Sequence, residues 1–175
     1  MLESIKRYKS ALGFMIKFFI VYAVLTFVYS TYLSNFEGEP DGVTRIVAQQ
    51  TEQIINAFGY SAEVVQHEVE PTMKLLVHDN YVGRIVEGCN SISVLILFIT
   101  FVIAFTGNLK NTVLFISIGS ILVYLANLLR IVILGIGLYR FPQHEYILHH
   151  IIFPTIIYGM VFLLWMFWVQ KFSKK

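Results

Sequence analysis

The sequence is poor in what a soluble domain of its length relies on. Charged residues fill 14% of its 175 positions, and it holds one cysteine and four prolines. A lone cysteine excludes an intramolecular disulfide and any metal site made of thiolates only. It likewise excludes a membrane thiol–disulfide oxidoreductase, which cycles two thiols. The sequence contains neither an internal repeat nor a low-complexity tract. The net charge of +2 carries meaning only once it is divided between the sides of a membrane. Nucleic acid is not expected as a partner.

Apolar residues are abundant. They make up 57% of the chain, and aromatics 15%. A soluble domain of this length has no interior large enough to bury so much apolar surface. Several runs approach the roughly 20 apolar residues that cross a hydrocarbon core. The chain is an integral membrane protein.

The expected fold is an all-α polytopic membrane protein of about four transmembrane helices, forming a single domain over residues 1–175. The spans fall at 11–33, 91–106, 112–139 and 147–169, between short basic tails at 1–10 and 170–175. The first run is longer than a signal's apolar region and has no clear small-residue cleavage site, so it reads as an uncleaved helix. Residues 34–88 form the one substantial polar segment, expected outside the cytoplasm. Within it, Val43 to Phe58 has helical amphipathic spacing, as of a surface or interfacial helix. Two β-prone runs, Met73–Val77 and Tyr81–Val86, flank His78-Asp79-Asn80 and predict a β-hairpin.

Cytoplasmic flanks collect lysine and arginine. Placing both termini and the Lys110 turn inside puts most lysines in the cytoplasm and the acidic 34–88 segment outside. Cys89 then enters the second span from the outer face. Arg130 lies roughly 28 Å along the third span, counted from Thr112 at 1.5 Å per residue, and so approaches the same face. His149 and His150 open the fourth span there. Three residue types of catalytic character meet at one depth.

Each has a bland reading. A lone cysteine is often a small buried hydrophobe, although a thiol at a helix N-terminus is held partly as thiolate. Arg130 either faces a partner or wet cavity, or snorkels to the interface. Asn127 lies one turn before it and is expected to orient the guanidinium. Interfacial histidines such as His144, His149 and His150 are often merely solvated. Adjacent His149 and His150 point about 100° apart on a helix, and no carboxylate cluster completes a ligand set, so zinc is rejected. No metal or organic cofactor is expected. Together, a thiol, a histidine and a fixed cation make an acyl-transfer site. A non-catalytic membrane assembly factor for exported proteins is the alternative. A transporter subunit is disfavoured, because further intramembrane charges and a repeated half are lacking.

Three segments form a pattern as a set: Gly88-Cys89-Asn90-Ser91-Ile92, Asn127-Leu128-Leu129-Arg130-Ile131 and His149-His150. The set resembles the exosortase/archaeosortase family over roughly residues 80–168. The short chain and the ending Phe153-Pro154-Thr155-Ile156-Ile157-Tyr158-Gly159 look most like the exosortase F subfamily of Bacteroidetes. The resemblance implies a thiol protease or transpeptidase of the bacterial inner membrane, with its site facing the periplasm. Its expected partners are the membrane-anchored C-terminal sorting signals of exported proteins, lipid and a small associated membrane protein. By motif, Cys89 is the nucleophile, Arg130 the arginine and His150 the acid/base, with His149 second. Asn127 and Asn90 are supporting residues. The chain departs from the family at two places. Cys89-Asn90-Ser91 stands where the family commonly has Cys-Ser-Gly, and Gly159 lies well downstream of the histidines rather than close behind them.

Overall fold

An uninterrupted apolar run behind a basic start forms helix α1, Leu2–Leu33. The computed structural model describes residues 2–36, 38–105 and 107–172. Glu37, Thr106 and the end of the expected basic tail, Ser173 to Lys175, lie outside the described residues. None of the most apolar stretch of α1 is buried within the protein. The helix is left to lipid on most of its circumference and packs along one neighbour introduced below.

The polar segment folds into a helix and a small sheet. Asp41 starts α2, Gly42–Ala57, by accepting the N–H groups of Val43 at 2.9 Å and Thr44 at 3.1 Å, the usual work of an N-cap. The amphipathic spacing places Thr44, Val47, Ala48, Thr51 and Ile55 on a buried face. Three antiparallel strands follow in the order β1 (Ala62–Gln66), β2 (Met73–Val77) and β3 (Asn80–Ile85). The expected hairpin is β2–β3. Its turn residues His78 and Asp79 both have positive φ, 50° and 61°, as a tight two-residue hairpin turn requires. Strand β1 was not expected.

The apolar helix α3, Ile92–Ala104, then descends along α1. Asn90 near its start donates to the Tyr29 hydroxyl at 2.9 Å, and Phe105 after its end meets Phe14 at 4.5 Å between ring centroids. Helix α4, Leu109–Arg140, returns after a short link, with the Asn108 side chain capping the N–H of Lys110 at 3.1 Å. Its 32 residues give about 48 Å of helix, more than the roughly 30 Å hydrocarbon core. The early part of α4 packs on α3; the later part carries the polar layer. Val47 and Ala48 of α2, Met73 and Ile85 of the sheet, and Leu128 and Ile131 of α4 share one core. Ile55, Leu75, Val77 and Val132 share the next. The apolar face of α2 is therefore spent on the protein itself.

After a 3-10 turn at Pro142–His144 the chain is helical to the end of the described residues, through α5 (Glu145–Ile147), a π turn at Leu148–Ile152 and α6 (Phe153–Phe172). The backbone is right-handed helical at both junctions, so this is one continuous helix with a widened turn. Pro154 accounts for the widening. It has no N–H to return to the preceding turn, and its ring would clash with the carbonyl four residues back, that of His150. The far end of α6 packs Val161 and Trp168 against Phe98, Val102 and Val123.

Among the described residues, three helices are long and apolar enough to cross a membrane: Ala11–Phe36, Leu109–Arg140 and Pro142–Lys171. The expected span at 91–106 is present as an apolar helix of 13 residues, about 20 Å and short of a full crossing. The expected count of four therefore resolves into three full-length candidates and one short apolar helix.

Where α3 and α4 touch, a Cβ added at Gly119 would lie 2.3 Å from the Phe98 ring, which is itself fully buried. Gly119→Ala is expected to push the two helices apart and cost about 1–3 kcal/mol. Gly13→Ala, with nothing within 4 Å of the added atom, is expected to be silent. Unfolding of both variants in detergent micelles checks this.

Candidate active site

Strand β3 ends at Ile85, and a 3-10 turn, Glu87–Cys89, carries the chain to α3. The thiol thus sits on a short, fixed tether off the sheet. The N–H of Cys89 bonds the Val86 carbonyl at 2.8 Å and that of Asn90 bonds Glu87 at 3.2 Å. Ser91 then turns left-handed, at φ 68°, before the helix begins.

The thiol lies just before α3, in the 3-10 turn rather than in the helix itself. The left-handed residue separates Cys89 from α3, and the first helical N–H, that of Ile92, is already taken by the Asn90 side-chain oxygen at 3.0 Å. Ser91 is a position at which the chain departs from Cys-Ser-Gly. Its φ is positive here, a conformation that glycine takes without strain and serine does not. Here the Ser91 hydroxyl donates to the Asn90 carbonyl within the same turn.

Two asparagines hold the turn from opposite sides. Asn127 donates its amide to the Cys89 carbonyl at 2.7 Å. It therefore braces the residue that bears the thiol and not, as expected, the Arg130 guanidinium. Asn90 is fully buried and donates to the Tyr29 hydroxyl at 2.9 Å and the Thr44 hydroxyl at 3.3 Å. Thr44 in turn donates to the Asp41 carboxylate. The Glu87 carboxylate lies close enough to Tyr29 to act on it. Tyr29, Thr44 and Asp41 were not singled out from the sequence. A tyrosine near the end of an apolar run reads as an interfacial anchor, and Asp41 and Thr44 read as an ordinary helix start.

A cleft of about 510 Å³ opens beside this turn, between β3, the later part of α4 and the beginning of the last helix. Cys89, Arg130, His149 and His150 all line it. Sequence positions up to 61 residues apart (Cys89 to His150) are thus brought to one cavity. Cys89 is half-buried and free. The Arg130 Nε atom is buried and has no hydrogen-bond partner. Arg130, His150 and Glu145 are the charged or titratable groups near enough to act on His149. The His150 ring stacks on Tyr146 at 5.0 Å and lies 5.0 Å from the His149 ring. Both histidines belong to the π turn, where the backbone departs from regular helix.

The cleft also takes in residues that the sequence did not flag, Arg84, Glu145 and Tyr81 among them. Arg84 pairs with Glu70 across the sheet's end. The remaining histidines stand elsewhere. The His67 ring nitrogen accepts two backbone N–H bonds in its own loop, at 3.2 Å each, and His78 turns the hairpin beside Tyr60 and Tyr139. His144 lies in the 3-10 turn next to Phe141.

A membrane bundle that holds a free thiol, an arginine and two histidines in one cleft defines a polytopic membrane protein with a cysteine-centred candidate site. The family model described as transmembrane exosortase (Exosortase_EpsH) matches residues 4–168. The chain belongs to that family. Searches of curated proteins and of solved structures found no match.

Two substitutions probe the turn. Ser91→Gly is expected to relieve the left-handed residue and stabilise the protein by up to about 1 kcal/mol; thermal unfolding reads it. Asn127→Leu is expected to leave the Cys89 carbonyl unpaired at a cost of about 1–3 kcal/mol. With the turn loosened, maleimide labelling of the only thiol should become faster.

Proposed function

We propose that this protein is a membrane cysteine transpeptidase or protease that cleaves the C-terminal sorting signals of exported proteins. The observation that carries the reading is the sharing of one cleft by Cys89, Arg130, His149 and His150, in a chain whose family is that of the transmembrane exosortases.

In this reading a histidine takes the Cys89 thiol proton and the sulfur attacks an amide carbonyl of the substrate. The C–N bond breaks, a thioester forms, and a histidine gives its proton to the leaving amine. An acceptor nucleophile, or water, then attacks the thioester and returns the thiol. The histidine takes the proton from that nucleophile and passes it to the departing sulfur. His150 is the proposed proton carrier, its ring held by Tyr146, with His149 beside it as the second candidate. Arg130 stabilises the negative charge that develops on sulfur or on the carbonyl oxygen. Arg130 shares the cleft with Cys89, as that role requires.

The proposed topology has both termini and the Lys110 turn in the cytoplasm and the cleft at the periplasmic face of the inner membrane. It needs α3 as a fourth, short crossing. Contacts at both ends of α3 support this, with Asn90 level with Tyr29 and Phe105 level with Phe14. Those α1 positions are about 22 Å apart along their helix. A thinned bilayer beside a short helix accommodates the difference. We also propose the exosortase F subfamily of Bacteroidetes as the branch to which the chain belongs. A small membrane protein is a proposed associate.

The test is processing of an exported reporter that ends in a short polar motif, a membrane helix and a basic tail. Precursor size and surface release are scored by blotting. Cys89→Ala and Cys89→Ser should both abolish processing while remaining in the membrane. Arg130→Lys should lower it at least about tenfold, because a point charge does not replace the guanidinium fork. His150→Ala should do the same. Unchanged processing in both cysteine variants would sink the mechanism and put the assembly-factor reading ahead.

A further inference from the structure

Strand β3 is the last strand of its sheet, and no other strand pairs with its outer side among the described residues. An edge strand presents a row of unpaired N–H and C=O groups, which natural proteins normally cover or disrupt. Here the five consecutive residues Tyr81 to Ile85 line the cleft. The same strand leads within four residues to Cys89. A template for backbone pairing therefore runs along the cleft wall toward the thiol.

Gly83 adds a second observation. It sits inside the strand, its φ is not in the left-handed region, and nothing lies within 4 Å of a Cβ built on it. A glycine inside a strand often marks the close approach of another backbone. The irregular register opposite Leu75 and Leu76 is a competing explanation for a glycine in this strand, but it does not account for the open space above it.

We propose that the substrate polypeptide binds as an added β-strand on the free edge of β3, which delivers its scissile carbonyl to Cys89. The occupant is an extended segment just outside the membrane, recognised mainly through its main chain. Main-chain recognition tolerates many side chains, whereas side-chain pockets on alternate residues set the preference. The proposal rests on the cysteine transpeptidase reading and specifies how that site takes its substrate.

Because Cys89 is the only cysteine, the Cys89→Ala background is free of thiols. On it, Gly83→Cys and Tyr81→Cys each supply one thiol on β3, the first with open space and the second at an exposed position. The probe is the exported reporter described above, carrying single cysteines one at a time across about ten residues before its membrane helix, a span long enough to show strand periodicity. Strand addition predicts disulfide capture at every second reporter position, at least about fivefold above the intervening ones, from at least one of the two β3 sites. Capture with a period of three to four would indicate a bound helix and overturn the proposal. Uniform or absent capture, with the same reporter still cut by wild type and not by Cys89→Ala, would overturn strand addition and leave the chemistry standing. A reporter cut equally well by Cys89→Ala would overturn both.

Discussion

The arrangement around the thiol depends on one buried side-chain amide. Asn90 is wholly shielded from solvent, and its nitrogen and oxygen are committed to Tyr29, Thr44 and the N–H of Ile92. Those partners belong to α1, α2 and α3. An unpaired donor or acceptor in such a place costs about 1–3 kcal/mol, so the three helices are favoured only in the arrangement that satisfies it. Asn127 extends the same logic to α4 by binding the neighbouring carbonyl of Cys89. Four helices thus converge on two adjacent residues, and the position of the sulfur follows from hydrogen bonding that does not involve the sulfur.

Helix α4 does two kinds of work along its length. Its first half is a membrane helix that closes on α3 through Gly119 and Phe98. Its second half is the floor on which α2 and the sheet rest, through Leu128, Ile131 and Val132. Asn127 and Arg130 lie where one role passes into the other. One continuous helix thus joins the polar layer to the bundle.

Much of this was legible in the sequence because apolar run length and turn chemistry are local properties. The long helices, the β2–β3 hairpin and the helix at 42–57 could all be read from such signals. Strand β1 could not, since Ala62–Gln66 buries only its first residue and shows no clean alternation. The amphipathic face of α2 indicated that something covers it without saying what. In the site, charge placement and helix length brought Cys89, Arg130 and the histidines to one depth, and the cleft contains them all. The partner of Asn127 was misread because it depends on how α4 is rotated about its axis, which spacing within one helix does not determine. The roles of Tyr29 and Thr44 are set by contacts 61 and 46 residues away in the chain. The π turn had a signal in Pro154, four residues after His150, that went unused.

The cleft's third wall is made by Glu145, His149 and His150, which come later in the chain than the residues of the other two walls. During translation, α1, the sheet, Cys89 and Arg130 all leave the ribosome before Glu145, His149 and His150. A nascent chain that has reached Arg140 can already form the asparagine-braced turn, yet it has no histidine beside the thiol. The brace on the turn that bears the thiol and the wall that bears the histidines are thus built from separate stretches of the chain.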